Sequence, residues 1–382
     1  MKIFDLDVIY FTEIKYATVM SLSANNKILI YAPPHYIGNM GDRIVTKVLF
    51  GRMSEATYLY DNYFNYLFGN KLAKKLYFNP HGKRVATKIT SLTKGFSKYV
   101  LLGMDTVDGF YNKDEARIKI EIATAFAQSG GTSWIINFSW SNSHIDDSLL
   151  SALNQAREAG VKFVTRDSVS CGRLSALGIN SKVCPDLGFL ITEYDFVPKT
   201  ENISSGQGRK DYAVLAPSYT FGKIPRQIKA FTELAISMRT QGLTPVMFAS
   251  VTNIRKSDSL LAHRINHKLT QLDQHKMPLV RDETALMVIL QESKLVVTGR
   301  MHVAIFALTN LVPSYILEYQ GKAAGLLRDF GFESLSSLDP EISDDVLRGL
   351  IDNSNGYVEV LKREIPLFKH KASQLLNQIC ED

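Results

Sequence analysis

Cysteine is scarce in this chain: Cys171, Cys184 and Cys380 are its three, and none stands in CxxC spacing. An odd number without paired spacing argues against a disulfide framework or a zinc site and fits a reducing cytoplasm. Uninterrupted apolar runs long enough to span a membrane are missing, because the longest, Leu295–Leu317, contains Arg300, His302, Asn310 and Pro313. The N-terminus carries Asp5, Asp7 and Glu13 where a signal peptide needs an apolar core, so no export signal is expected. Low-complexity tracts and internal repeats are also absent. Acidic residues vanish from Asn62 to Met104, a stretch holding Lys71, Lys74, Lys75, Lys83, Arg84, Lys88, Lys94 and Lys98. The overall excess of +6 is too weak to imply nucleic acid, and no recognition motif accompanies the run. It reads as a solvated face, or as a docking surface for anionic phospholipid or a pyrophosphate-linked substrate.

At 382 residues the chain exceeds a usual single core, so two domains are expected. Lys27–Ala32 is a buried strand, and the glycine loop Gly38–Asp42 leads from it into a helix near Arg43–Phe50; this corner reads either as a phosphate- or carbohydrate-binding one or as a plain turn with Asp42 as the helix cap. Ser54–Phe68 has its aromatics at helical spacing. Strands Tyr99–Met104, Trp134–Phe138, Val161–Thr165 and Val183–Asp186 then alternate with helices Glu115–Gln128, Asp146–Ala159 and Ser168–Leu177. The polar, Gly- and Ser-rich stretch 198–210 is the best linker. A second series follows, with strands Tyr212–Pro217, Thr244–Ala249, Pro278–Val280 and Leu295–Thr298 among helices Ile224–Gln241, Ser257–Leu272, Thr284–Ser293 and Met301–Leu308. Another strand runs into Leu317, and helices Ser337–Leu350 and Val358–Gln378 close the chain. Alternation of this kind predicts an α/β protein: two doubly wound Rossmann-like domains facing across a cleft, a GT-B-like layout. The expected division is 1–197 for the N-terminal Rossmann-like domain, 198–210 for the linker, 211–350 for the C-terminal Rossmann-like domain and 351–382 for a closing C-terminal helix.

Ligands of such sheets bind at the C-terminal strand ends. Arg166 and Arg300 emerge there from the two different halves, and guanidinium forks suit phosphate and carboxylate. A cation at the start of a helix is unfavourable unless an anion binds beside it. His302 is the nearby group able to exchange a proton near neutral pH. Together they make an anion-binding acid/base constellation, distinct from a nucleophilic triad or a metal site. His263 and His267 share a helix face at a metal-ligand spacing, but no third ligand accompanies them and they read as surface residues. His35, beside the glycine loop, is either an acceptor contact or a strand-end residue. Asp282–Glu283 caps the helix before the Leu295 strand.

Three segments now carry a family resemblance. GNMGD (Gly38–Asp42), TRDSVSCGRLSALGI with CPDLGF (Thr165–Ile179, Cys184–Phe189), and TGRMHVAIFAL with VPSYILEYQGKAAGLLRDFG (Thr298–Leu308, Val312–Gly331) occur in this order. They resemble the motifs of polysaccharide pyruvyl transferases, the match covering roughly residues 27–335. The resemblance implies a GT-B-like fold and transfer of the pyruvyl group of phosphoenolpyruvate to a sugar as a cyclic ketal, with no metal and no cofactor beyond that donor substrate. It implies that Arg166 and Arg300 hold the donor's phosphate and carboxylate and that His302 is the proton donor. Met301, Tyr319 and Lys322 join them on the donor side, while Asn39, Asp42, His35 and Asp105 line the acceptor side. Two departures stand out: GMDTVDGFY (Gly103–Tyr111) replaces a run of glycines, and Met301 and Val303 flank the histidine where leucine and a small residue are usual. The first implies a remodelled acceptor pocket or a different transfer reaction.

Three readings follow. One is a pyruvyl transferase acting on a surface polysaccharide, an exopolysaccharide for example, or on its lipid-linked precursor. The second is a GT-B glycosyltransferase using a nucleotide sugar, and the third a non-catalytic sugar- or membrane-binding module. The expected location is the cytoplasm, or the inner face of the cytoplasmic membrane with peripheral contact to anionic lipid.

Overall fold

The structure, a computed structural model, describes residues 28–33, 39–60, 95–141, 145–191, 211–251, 257–318 and 322–381. The first domain is built on β1 (Ile28–Ala32), β2 (Thr57–Tyr60), β3 (Lys98–Met104), β4 (Thr132–Phe138), β5 (Lys162–Thr165) and β6 (Ser181–Val183). All pair in parallel, in the order β2-β1-β3-β4-β5-β6. Helices α1 (Met40–Arg52), α2 (Lys113–Gln128), α3 (Asp147–Glu158) and α4 (Ser168–Ala176) connect them. Burial on both faces explains the unbroken apolar strands. Successive residues of β1 and β3 alternate between two cores: Leu29, Tyr31, Tyr99 and Leu101 pack with α2 and α3, whereas Ile28, Ile30, Val100 and Leu102 face the other side.

The second domain repeats the plan with β7 (Tyr212–Ala216), β8 (Thr244–Phe248), β9 (Leu279–Val280), β10 (Ser293–Thr298), β11 (Ser314–Leu317) and β12 (Ser336–Ser337). Their order is β12-β11-β10-β7-β8-β9, again parallel throughout. Its helices are α5 (Ile224–Thr240), α6 (Asp258–Gln271), α7 (Glu283–Gln291), α8 (Met301–Thr309), α9 (Lys322–Asp329), α10 (Asp344–Asp352) and α11 (Ser354–Glu381). Strand order reverses between β1 and β3 in one sheet and between β7 and β10 in the other. At such reversals the outgoing loops part and leave a crevice.

Helix α8 is apolar on every side, and His302 to Leu308 are all buried. Its position explains why: it lies between its own sheet, α11 of the same domain, and the first domain's α1 and 3-10 turn Leu187–Leu190. The long α11 returns to the first domain, where Phe368 meets Phe189 edge-on at 5.3 Å between ring centroids and Lys98 donates to the Cys380 carbonyl. One hydrophobic core therefore runs through both domains.

Several expectations are corrected. Thr57–Tyr60 is a strand, not part of a helix, because aromatic and β-branched residues suit an edge position beside β1. The strand expected at Val183–Asp186 ends at Val183, since Pro185 cannot donate to a ladder and Asp186 turns the chain into the 3-10 turn. The helix expected from Ser337 begins at Asp344, with Ser343 capping it and Ser336–Ser337 forming β12. Helix α9 has no counterpart in the sequence reading. Asn39 rather than Asp42 caps α1, which places Asp42 inside the first turn. Residues 1–26, the 198–210 linker and the basic stretch 62–94 lie outside the described residues. Lys98, the last cation of the basic run, is buried.

Candidate active site

Helix α1 is the next described element after β1. Asn39 accepts from the Gly41 amide at 3.2 Å and satisfies one of the helix's free donors. Across the cleft, Ser250 at the end of β8 donates to the same Asn39 oxygen at 3.1 Å. His302, in the first turn of α8, lies against Gly41 so closely that a Cβ there would sit 2.2 Å from its Nδ1. Glycine at this point lets the two helix starts meet. The Nε2 atom of the buried His302 faces Asp186 at 3.7 Å and makes no hydrogen bond among the described residues. This buried imidazole face is oriented by a carboxylate without being consumed by it.

Behind the histidine lies a buried polar network. Arg166 follows β5 and is itself buried, with Nε donating to Ser139 at 2.8 Å and Nη1 to Asp186 at 3.1 Å. Its Nη2 donates to Asp105. Burial alone would discourage the guanidinium charge, but the carboxylates of Asp105, Asp186 and Asp167 outweigh it and keep Arg166 charged. Asp186 also accepts from the Gly188 amide at 2.8 Å. Burial would raise its carboxyl; the charges of His302 and Arg166, with that amide, hold it below the usual range instead.

Arg300 emerges from β10 beside β7. Its Nε and Nη2 donate to the two oxygens of Asp258 at 2.9 and 2.6 Å, a bidentate fork. Asp258 is fully buried in the first turn of α6 and also accepts from the backbone amides of Tyr219, at 2.9 Å, and Val251, at 3.1 Å. The local cost of a cation at the start of α8 is thus offset by an internal anion. Arg300, Met301, His302, Ser250 and Glu318 of the second domain face Asn39, Asp105 and Tyr111 of the first across one pocket. The pocket joins the strand-order reversals of both sheets, with Asn39 and Asp105 after β1 and β3 and Arg300 after β10.

Comparison with known proteins gives this cleft a family. The family Polysaccharide pyruvyl transferase matches residues 52–321, well over half of the chain. The chain belongs to the polysaccharide pyruvyl transferase family. It is therefore a transferase of polysaccharide modification. No curated protein matches the chain. Among solved structures it is similar to UDP-GlcNAc 2-epimerase from Neisseria meningitidis bound to UDP-GlcNAc, at TM-score 0.56 and 10% identity over 92% of this chain and 98% of that one. HepE of Anabaena in complex with UDP and glucose gives TM-score 0.58 and 11% identity, covering 94% and 99%. MnaA of S. aureus with UDP gives 0.57 and 12%, covering 92% and 94%. At these identities the likeness is one of fold: two Rossmann-like domains in the GT-B manner.

Among the residues that family resemblance brings forward, the structure gathers Asn39, Asp105, Arg300, Met301 and His302 around the pocket. Arg166 is different. It lies under the pocket with its donors committed to Ser139, Asp186 and Asp105, so it does not open onto the cleft as Arg300 does. The reason is its buried strand end, where an unpaired cation would be costly. His35 and Tyr319 lie outside the described residues, and Lys322 opens α9. Sequence reasoning missed Asp258, Ser139 and Ser250, and it quoted Asp186, Tyr111 and Glu318 only as parts of longer segments. His263 faces Arg281 at 2.9 Å and His267 faces Gln271 at 3.2 Å, as surface residues would. Among the described residues no group of three or more His, Cys, Asp or Glu could hold a metal ion, and no helix is long and apolar enough to cross a membrane.

Asp42 completes the arrangement. Burial pushes its carboxyl up to about 6, with the neighbouring Asp105 adding to the rise and His302, Arg166 and Arg300 opposing it. Because the folded protein holds this proton more tightly than the unfolded chain, the associated stability is present at low pH and is lost as pH climbs through about 6. Asp42→Asn removes the ionised form. It is expected to raise the unfolding free energy at pH 8 by about 1–2 kcal/mol, less than the full shift implies because the side chain is only half-buried. At pH 4 the gain should disappear, and urea denaturation at the two pH values measures the difference.

Proposed function

We propose that this transferase moves the pyruvyl group of phosphoenolpyruvate onto a sugar of a surface polysaccharide or its lipid-linked precursor, releasing phosphate and closing a cyclic ketal. The observation that supports this best is the pairing of a buried His302 nitrogen, which makes no hydrogen bond among the described residues, with the anion-suited Arg300 at one interdomain pocket. In this reaction a proton adds to the methylene carbon of the enol phosphate, and the double-bond electrons move to form that C–H bond. The oxocarbenium-like carbon left behind is attacked by one sugar hydroxyl, which loses its proton. Phosphate leaves with its C–O bonding electrons, and a second hydroxyl of the same sugar attacks the carbon it vacates and closes the ring, its O–H proton passing to the departing phosphate. Protonated His302 supplies the first proton. Arg300 balances the donor's negative charge, with Asp258 holding its fork in place. Asp42 and Asn39, on the opposite wall, meet the acceptor. The route draws on the chain's own acid and fixed charge, and no cofactor is assigned to it.

A second reading, transfer from a nucleotide sugar, is favoured by the UDP held in the similar folds of HepE and MnaA. The two are separated by thermal-shift titration of the full chain with phosphoenolpyruvate, UDP-glucose and UDP-GlcNAc. A ligand at a hundred times its dissociation constant adds about 2.7 kcal/mol. Stabilisation by phosphoenolpyruvate, followed by phosphate release that depends on added polysaccharide acceptor, is the expected result. Saturation by a UDP-sugar with no response to phosphoenolpyruvate would overturn the proposal in favour of the second reading.

A further inference from the structure

Among the described residues, Tyr111 is the one large exposed apolar or aromatic residue that also lines the pocket, at 52% exposure. An aromatic ring left in water beside a cleft forgoes favourable burial unless something covers it. Tyr111 belongs to the first-domain wall, with Asn39 and Asp105, across from Arg300 and His302.

The loop that carries it is fastened along its length. Thr106 donates through its amide and its hydroxyl to the Gly103 carbonyl, both at 3.0 Å, and its hydroxyl accepts from the buried Lys119 of α2 at 3.0 Å. Val107 is buried in the core with Phe138 and Trp140. The buried Asp108 accepts from the Phe110 amide at 3.1 Å, across Gly109, whose φ of 76° makes the turn. Asn112 then caps α2 by accepting from the Glu115 amide at 3.2 Å. Phe110 stands edge-on to the Tyr111 ring, 5.1 Å between centroids. The ring is thus positioned before any ligand arrives, and little conformational freedom is left to lose on binding. The glycines usual here in the family would leave this wall bare, so Phe110 and Tyr111 are this chain's own addition.

The charge distribution of the ring decides what it suits. The face of an aromatic ring is the negative part of its quadrupole, so it does not draw a phosphate or a carboxylate. A pyranose is the opposite case, with hydroxyls at its edge and weakly polarised C–H bonds on its faces. We propose that Tyr111 is a specificity-determining platform for the acceptor, its ring lying against the C–H face of the pyranose to be modified. The hydroxyl edge of that sugar turns to Asn39 and Asp42, the groups proposed above to meet it. Two selections follow. An open-chain polyol presents no such face and gains nothing from the ring. An axial hydroxyl pointing at the ring holds a sugar off it, so pyranoses with one face free of axial hydroxyls are preferred.

The inference rests on the sugar acceptor proposed above and not on the donor, and its test needs no transfer. Methyl β-D-glucopyranoside, methyl β-D-galactopyranoside and methyl β-D-mannopyranoside are titrated into the full chain by saturation-transfer NMR. D-sorbitol, which has hydroxyls but no ring face, is the control. At least one hexoside is expected to bind, with saturation concentrated on the C–H protons of one face, and sorbitol is not. For that hexoside, Tyr111→Phe is expected to stay within about twofold of the parent. Tyr111→Leu, which keeps apolar bulk without an aromatic face, should bind about threefold to tenfold more weakly at an unchanged thermal midpoint. Equal binding by the parent and Tyr111→Leu overturns the proposal. So does an equal loss in Tyr111→Phe, which would report a contact of the phenol oxygen, or binding of sorbitol as well, or of none of the hexosides. If Tyr111→Leu fails to fold, Tyr111→Met carries the same reading. Hexoside binding that depends on Tyr111, in a protein indifferent to phosphoenolpyruvate, would leave the platform standing while removing the pyruvyl-transfer proposal. Phosphoenolpyruvate-dependent transfer with hexoside binding insensitive to residue 111 would do the reverse.

Discussion

His302→Gln is expected to lower acceptor-dependent phosphate release by about 10²–10⁴-fold, the usual range for removing a general acid. Gly41→Ala is expected to reach a comparable loss without touching any ionisable group. Alanine for glycine in the first turn of a helix normally stabilises, by roughly 0.5–1 kcal/mol. At this position the added Cβ would meet Nδ1, Cγ and Cβ of His302 at 2.2, 2.3 and 2.5 Å. Real side chains do not approach so closely, so either the imidazole leaves its seat or the two domains part. Both outcomes separate His302, the proposed proton donor, from Arg300 and from the proposed acceptor wall. The measurement is an initial-rate assay beside a thermal midpoint for each variant. A folded Gly41→Ala enzyme retaining more than about a tenth of parental turnover would show that proton delivery does not depend on where the imidazole sits.

The same contact shows where sequence reasoning reached and where it stopped. Leu295–Leu317 was legible as strand, turn and helix because its apolar run is broken by Gly299 and Arg300, where a buried strand has to turn into a helix. The alternation of elements was enough for two doubly wound domains, and strand ends were the right place to seek ligands. What each guanidinium meets was not legible. Arg300 and Asp258 are 42 residues apart, and Arg166 and Asp105 are 61 apart. Such pairings are made by strand order, and local periodicity carries no trace of them. Asp258 reads in sequence as a first-turn acid favoured by the helix dipole, an ordinary reason for an aspartate to be there. Thr57–Tyr60 misled for a related reason: four residues rich in aromatics satisfy either period, and only the neighbouring β1 decides between them. Arg166 was correctly placed at the end of β5 but not at its depth, since exposure depends on what the other domain and the β3 loop lay over it.

Asp258→Ala should be the most destabilising single change at this site, by about 3–5 kcal/mol. It removes the bidentate carboxylate from a guanidinium that is 13% exposed and leaves the Tyr219 and Val251 amides without that acceptor. Most of the effect comes from stranding the charge rather than from losing an attraction, because a buried pair recovers in Coulomb energy little more than its desolvation costs. A double-mutant cycle separates the two. If stranding dominates, Arg300→Ala made in the Asp258→Ala background should restore part of the lost stability, so that the double variant unfolds at higher urea concentration than Asp258→Ala alone. Additive losses would mean instead that each residue holds up its surroundings independently. Such additivity would also undercut the mechanistic assignment, in which the fork of Arg300 on Asp258 is what holds the guanidinium in place beside the pocket. The activity of Asp258→Asn supplies the complementary reading. It keeps the side chain's size but not its charge, and a rise in the Michaelis constant for phosphoenolpyruvate is expected there, from an arginine still present but no longer aimed.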